Sequence, residues 1–263
     1  MFNQLKSLLS KSSTGKVERA VDLAQIAPDQ RLLVVGDVHG CLNLLLDTIK
    51  RLEAHIETVE DWDDLRSKLV FVGDYVDRGE QSAQTLNWLH NLQKSLPYDV
   101  ECLMGNHERM MLDFLDDPAG RGARWLRNGG LQTLASYKIG GVRERSNVEE
   151  LTEASMKLEA AMPEGQLEWL RQLPKKFKSG NVCVAHAAMD PHLSPEDQST
   201  QTLMWGHNEF MTTPRDDDLW VVHGHTIVKE PRISKSRISI DTGAYHSGKL
   251  TLALIEPGVC TFF

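Results

Sequence analysis

The chain has 263 residues, 41% of them hydrophobic, which is enough for a sizeable core in one large domain or two small ones. A formal charge of −8, with no stripe of lysine and arginine, argues against a nucleic-acid backbone as the main ligand. Four cysteines without CxxC spacing, no apolar signal segment at the N-terminus and no run near the ~20 apolar residues of a membrane helix predict a cytoplasmic protein with reduced thiols and no transmembrane segment.

In chain order, residues 1–30 form a basic, serine-rich lead. Phe2, Leu5, Leu8 and Leu9 share a helical face there, compatible with a short surface-binding helix, but a flexible, frayed terminus is the expectation. Leu32 to Val35 reads as a strand, and Leu42, Leu45, Leu46, Ile49 and Leu52 then recur at helical spacing. Glu53 to Lys68 is acidic and reads as loop with some helix. Leu69 to Val72 follows as a strand, Gln84 to Leu96 as a helix and Val100 to Met104 as a third strand, so strand, loop and helix repeat as βαβ-like units.

From Arg109 to Phe177 the texture changes. Helix formers are interrupted at Pro118, Gly129-Gly130, Gly140-Gly141, Pro163 and Pro174, which predicts several short helices rather than another sheet. This helical insertion would serve as a lid or substrate-selecting cap. Its aromatic residues Trp125, Tyr137 and Trp169 are expected to pack. Strand character returns at Asn181 to Ala185, Leu219 to Val222, Ile238 to Ile240 and Leu250 to Ile255.

The side chains that carry chemistry stand where predicted strands end. They are Gly36-Asp37-Val38-His39-Gly40, Gly73-Asp74-Tyr75-Val76-Asp77-Arg78-Gly79, Gly105-Asn106-His107-Glu108, and the pair Val184-Ala185-His186 and His223-Gly224-His225-Thr226. Open α/β sheets place ligands at that edge. Carboxylate, amide oxygen and imidazole suit manganese, iron or zinc, and one carboxylate can bridge two ions. Two cations roughly 3.5–4 Å apart clamp phosphate oxygens and bring a shared water to a pKa of about 7, so the blocks together describe a two-metal hydrolytic site. In an extended segment positions i and i+2 point the same way, so Asp37 and His39 can reach one ion. By the same argument His223 and His225 are equally good candidates.

The first three blocks resemble the GDxHG, GDxxDRG and GNHE signature of the phosphoprotein phosphatase family, within the calcineurin-like metallophosphoesterases. The resemblance runs from about Arg31 to Ile255. Its later part, His186-Ala187, Gly224-His225-Thr226 and Ile240-Asp241-Thr242-Gly243, is most similar to the bacterial and phage branch, which is related to diadenosine tetraphosphatases. It implies a single αββα sandwich over residues 31–263, an α/β fold of two mixed sheets face to face with helices outside and the helical insertion at about 109–177. It also implies that Asp37 and His39 bind the first metal, that Asp74 bridges, and that Asn106, His186 and His225 complete the second. It selects His225 over His223, which is left as a partner of a ligand. His107 is similar to the family's general acid, with Asp77 orienting it, and Arg78 to a residue that grips phosphate oxygens.

One departure stands out. Relatives of the bacterial and phage branch carry a second phosphate-binding arginine soon after a tryptophan, where this chain reads Trp205-Gly206-His207. His207 is therefore expected to contact substrate beside Arg78 and Asn106, with Arg215 as the alternative. Tyr245, whose surroundings match the family poorly, is left out of the catalytic set.

The resemblance implies a serine/threonine-type protein phosphatase, a metal-dependent phosphomonoesterase acting on phosphoserine and phosphothreonine, with phosphotyrosine as an additional candidate, by attack of metal-activated hydroxide. The cofactors would be two divalent ions, Mn2+ first and Fe or Zn as alternatives. The partner would be a phosphoprotein or phosphopeptide. The alternative is a dinucleoside polyphosphate hydrolase, for which Arg121, Arg124 and Arg127 offer cationic side chains. A non-catalytic phosphoprotein- or metal-binding module is the third reading.

Overall fold

A computed structural model describes residues 25–59, 62 and 66–263. Residues 1–24 of the predicted lead, with the Phe2–Leu9 face, lie outside the described residues.

Three parallel strands, β1 (Arg31–Val35), β2 (Ser67–Phe71) and β3 (Val100–Cys102), are joined by α1 (Leu42–Ile56) and α2 (Ser82–Ser95). The end of the chain returns to this sheet. β9 (Leu252–Glu256) pairs antiparallel with β1, and β10 (Val259–Phe262) forms the edge, giving the order β10-β9-β1-β2-β3. The second sheet comprises β4 (Lys176–Ser179), β5 (Val182–Ala185), β6 (Trp220–His223), β7 (Arg232–Ser234) and β8 (Arg237–Ser239), in the order β4-β5-β6-β8-β7.

Alternation along the strands decides which layer each residue faces. Leu32, Val34, Val70 and Val72 of the first sheet pack with Val182, Val184, Val222 and Ile238 of the second in one buried cluster. Leu33, Val35, Leu69 and Phe71, one step out of phase, join Leu45, Ile49 and Leu52 of α1 and Leu86 and Leu89 of α2. The outer face of the second sheet, with Cys183, Ala185 and Val221, is covered by Leu203, Phe210 and Met189. The result is the αββα sandwich, and buried parallel strands explain the near-continuous apolar runs in the sequence.

Between β3 and β4 lie α3 (Asn106–Asp116), α4 (Pro118–Trp125), a turn at Leu126–Gly130 kinked at Gly129 (φ 109°), α5 (Leu131–Ser136), α6 (Val148–Ala161) and α7 (Gln166–Gln172). Their starts follow local chemistry. Asp117 caps α4 through Gly120 N with Pro118 next in line, and Asn147 and Glu150 form a reciprocal capping box on α6. The predicted helical stretch to Phe177 ends earlier than expected, because Lys176–Ser179 is the edge strand β4, antiparallel to β5. β4, β7 and β10 were not anticipated. β7 and β10 are half-buried or exposed edges, and β4 is mostly so, so none shows the buried apolar pattern that marks the inner strands. Two further short helices, α8 (Thr200–Trp205) and α9 (Ala244–Ser247), complete the fold. No helix among the described residues is long and apolar enough to cross a membrane.

Candidate active site

The loops that leave β1 and β2 and the start of α3 are locked together by backbone groups. Val38 N and His39 N donate to Asp74 O (3.1 and 2.8 Å), and Gly40 N donates to Tyr75 O (2.8 Å). Glu108, fully buried, accepts from the backbone N–H of Asp74 (2.8 Å), Tyr75 (2.7 Å), Val76 (3.2 Å) and Gly105 (3.0 Å). Its carboxylate is thus the knot between two motifs, a role the sequence reading did not assign. His39, Asp74, Asp77, Arg78 and His225 all hold φ between 44° and 73°. Non-glycine residues pay on the order of 1 kcal/mol or more for that region, which this mesh offsets. Gly73 permits the approach, since at its φ of 115° a Cβ would meet the Gly105 backbone at 2.5 Å.

Asp74 stands between two sets of donors. Its Oδ2 lies 3.5 Å from His39 Nε2 and 3.9 Å from His107 Nε2, and its Oδ1 lies 3.4 Å from His186 Nε2. Groups that could hold a metal ion accordingly form on both sides, His39–Asp74–His107 and Asp74–His186–His225. Asn106 Oδ1 is 2.8 Å from His186 Nε2 on the second side. His39 Nδ1 donates to the Val76 carbonyl (2.8 Å), which leaves Nε2 as the ring atom that could hold a metal. Asp37 is buried and accepts from His225 N (3.0 Å).

The electrostatics fit a cation. Burial, then Asp241 and Asp74, push the Asp37 carboxyl well above its usual range. Asp241 is likewise pushed up to about 6, by burial first and by the like charge of Asp74. Burial drives His39 down to about 3 and His186 down to about 4, so both imidazoles are neutral donors near pH 7. Crowded carboxylates with neutral imidazoles and one amide oxygen are a donor set suited to divalent ions.

His107 is held differently. Its Nδ1 lies 2.6 Å from Asp77 Oδ2, and its Nε2 lies 3.2 Å from Arg78 Nη2. A guanidinium beside Nε2 disfavours a metal cation at the same atom, although His107 lies among residues that could hold one. Burial lowers its pKa, but Asp74 and Asp77 outweigh it and hold the ring above its ordinary value. The Arg78 guanidinium also sits 4.8 Å over the Tyr245 ring, and Tyr245 lies edge-on to His39 at 5.4 Å.

His223 and His225 part company. His223 Nδ1 donates to Gly224 O (3.0 Å), its Nε2 accepts from Ser239 Oγ (2.8 Å) and its ring packs on Phe210, so it faces the sheet while His225 faces Asp74. His207 and Arg215, the two candidates to replace a second arginine, both have partners around Asp190. His207 Nε2 lies 3.5 Å from Asp190 and its Nδ1 accepts from Glu209 N (3.3 Å), so its ring is engaged in its own loop. Arg215 spends its donors on Asp217, on Asp190 O (2.9 Å) and on Leu193 O (2.8 Å). Both therefore brace that loop through Asp190, and Trp205 stacks under Arg124 at 4.3 Å. Tyr245, set aside on sequence grounds, is at the site instead. Asp241 was also missed as a site residue, although like Asp37 it lies two residues past the end of a strand, β8.

Comparison with known proteins agrees with this geometry. The profile of the calcineurin-like phosphoesterase family matches residues 30–229. A protein of Oceanobacillus iheyensis named bis(5'-nucleosyl)-tetraphosphatase PrpE, asymmetrical, is 31% identical over 238 residues, covering 83% of this chain and 86% of that relative. A Geobacillus protein of the same name is 29% identical over 233 residues, covering 83% and 87%. Among solved structures, that of a candidate diadenosine tetraphosphatase aligns with TM-score 0.59 at 19% identity, covering 89% of this chain and 93% of the other. The cold-active protein-tyrosine phosphatase of a psychrophilic Shewanella aligns with TM-score 0.57 at 17% identity, covering 97% and 90%. At those identities the two structures establish the fold alone. With its signature blocks gathered at one edge of the sandwich and the family profile spanning most of its length, the chain belongs to the calcineurin-like phosphoesterase family.

Proposed function

We propose that this metallophosphoesterase hydrolyses dinucleoside polyphosphates, with Asp37, His39, Asp74, Asn106, His186 and His225 holding two divalent cations. Manganese is the first choice, and iron or zinc fit the same donors. Bound there, the cations would supply positive charge for phosphate oxygens and lower the pKa of water. Asp74 offers one oxygen to each side and joins the two positions. Asp77 holds Nδ1 of His107, so Nε2 is the atom that carries the proton to the departing oxygen. Arg78, its fork placed between His107 and Tyr245, binds phosphate oxygens. Four free cysteines fit a reducing cytoplasm.

The observation that carries the nucleotide reading over the phosphoprotein one is a groove leading away from Arg78. A cavity of about 530 Å³ bounded by Arg78, Tyr245, Arg127, Asn128 and Gln132 adjoins, at Leu131 and Glu144, a second of about 860 Å³ that carries Arg143 and Arg145. An elongated polyphosphate needs cationic groups beyond the scissile phosphate and a ring face for its base, and the groove offers both. The names of the PrpE relatives support the same substrate class.

The test is kcat/KM for diadenosine tetraphosphate against a phosphoserine peptide, with Mn2+ and identified products. The nucleotide is expected to win by at least about tenfold, a difference of about 1.4 kcal/mol in transition-state binding, and to split into unequal halves. The opposite preference restores the phosphoprotein reading. No turnover of either substrate, nor of p-nitrophenyl phosphate, would leave a binding module.

A further inference from the structure

Among the described acids of the site, Asp77 has its carboxylate secured by side chains of the helical insertion. It is fully buried, and an ionised carboxylate in such a place requires donors on its remaining lone pairs. His107 occupies Oδ2. Trp125 Nε1 donates across both oxygens, at 3.0 Å to each. Thr133 Oγ1 accepts from the Asp77 backbone N–H (2.9 Å) and donates to Oδ1 (2.7 Å), closing a ring of bonds around the residue.

Packing alone does not account for this arrangement. The Trp125 ring stacks on Phe114 at 4.8 Å and is seated closely over Gly130, where a Cβ would lie 2.5 Å from the indole. That seat fixes the direction of the N–H. A phenylalanine would fill the same stack without the donor. Between Trp125 and Thr133 lie Arg127, Asn128 and Gln132, which line the groove, and Gly129, whose carbonyl accepts from Arg78 N (3.4 Å). One short segment thus touches the groove on one side and the support of the acid on the other.

We infer that Trp125 and Thr133 are positioning residues for His107, acting through Asp77, so the insertion belongs to the catalytic apparatus and is more than a cover. The inference rests on the reading of His107 as general acid. Without the two donors Asp77 can turn or shift, His107 loses its fixed direction, and proton delivery to the leaving oxygen suffers while phosphate binding through Arg78 does not.

The experiment compares Trp125→Phe, Thr133→Val and Thr133→Ser with the parent and with His107→Asn. All are assayed with Mn2+ on p-nitrophenyl phosphate, whose leaving group needs little protonation, and on phenyl phosphate, whose leaving group needs more. For Trp125→Phe and Thr133→Val, kcat on phenyl phosphate should fall by about tenfold or more and by much less on p-nitrophenyl phosphate, with KM within about twofold and metal content unchanged. Thr133→Ser, which keeps the hydroxyl, should stay near the parent. Thr133→Val is nearly isosteric and decides the matter if Trp125→Phe folds poorly. Equal losses on both substrates, or no loss while His107→Asn discriminates between them, overturns the positioning role and leaves the acid in place. A His107→Asn variant that does not discriminate removes the acid and the positioning role together.

Discussion

The strand-end loops and the helical insertion meet at Asp77 and are built in opposite ways. The loops are irregular, held at left-handed φ by backbone hydrogen bonds and by the buried Glu108 carboxylate. The insertion is mostly helix, with side-chain caps on α4 and α6 and a kink at Gly129, and approaches Asp77 and Arg78 through Trp125, Gly129 and Thr133. The difference teaches that the donor atoms require backbone conformations specific to a few glycine-flanked blocks, whereas support and substrate contacts can be delivered by side chains on an ordinary scaffold. Changes in the loops should therefore abolish turnover, and changes in the insertion should grade it.

The largest effect is expected at Asp74. Asp74→Asn keeps the shape but removes the charge shared by both donor sets, and kcat/KM should fall by on the order of 10²–10⁴-fold on every phosphoester, because several kcal/mol of charge stabilisation depend on it. Steady-state kinetics with parallel elemental analysis measure this. Near-parent activity would mean that the loops do not form the bridge.

A second test separates two neighbouring histidines, His223 at the end of β6 and His225 in the loop that follows. His223 is buried and driven down to about 4 from 6.5, so the unfolded chain binds its proton more tightly than the folded one. Its contribution to stability is present above about pH 6.5 and is lost as pH falls toward about 4. Between about pH 7 and 5 it should account for about 2 kcal/mol of destabilisation in urea unfolding, and His223→Gln should flatten that slope while leaving bound metal unchanged. An unaltered slope would place the proton uptake elsewhere.

The smallest effect belongs to the groove. Arg127→Gln should raise KM for diadenosine tetraphosphate by about fivefold, the equivalent of about 1 kcal/mol for a charged hydrogen bond near solvent, and leave p-nitrophenyl phosphate unchanged. Equal effects on both substrates would mean that the insertion does not select.

The same contrast explains what could be read from the sequence. The inner strands announce themselves as buried apolar runs, and Asp37, Asp74 and Asn106 follow them at fixed steps, so the central sheets and the blocks gathered at their ends were legible. The edge strands β4, β7 and β10 carry no such pattern. The Trp125 and Thr133 bonds to Asp77 span 48 and 56 residues, and only the folded chain brings those side chains together. The partners of His207 were not legible, because position in a loop does not fix where a ring points. The geometry that ties it to Asp190 depends on Arg215 bracing the same turn. Asp241 could have been found, since it lies two residues past the end of β8 as Asp37 does past β1.

The most direct test of the account is the metal itself. Protein stripped of divalent cations should lose turnover of p-nitrophenyl phosphate, and equilibrium dialysis against Mn2+ should restore it as two ions bind per chain, one for each donor set around Asp74. Full turnover by the metal-free protein, or restored turnover with no ion bound, would contradict it.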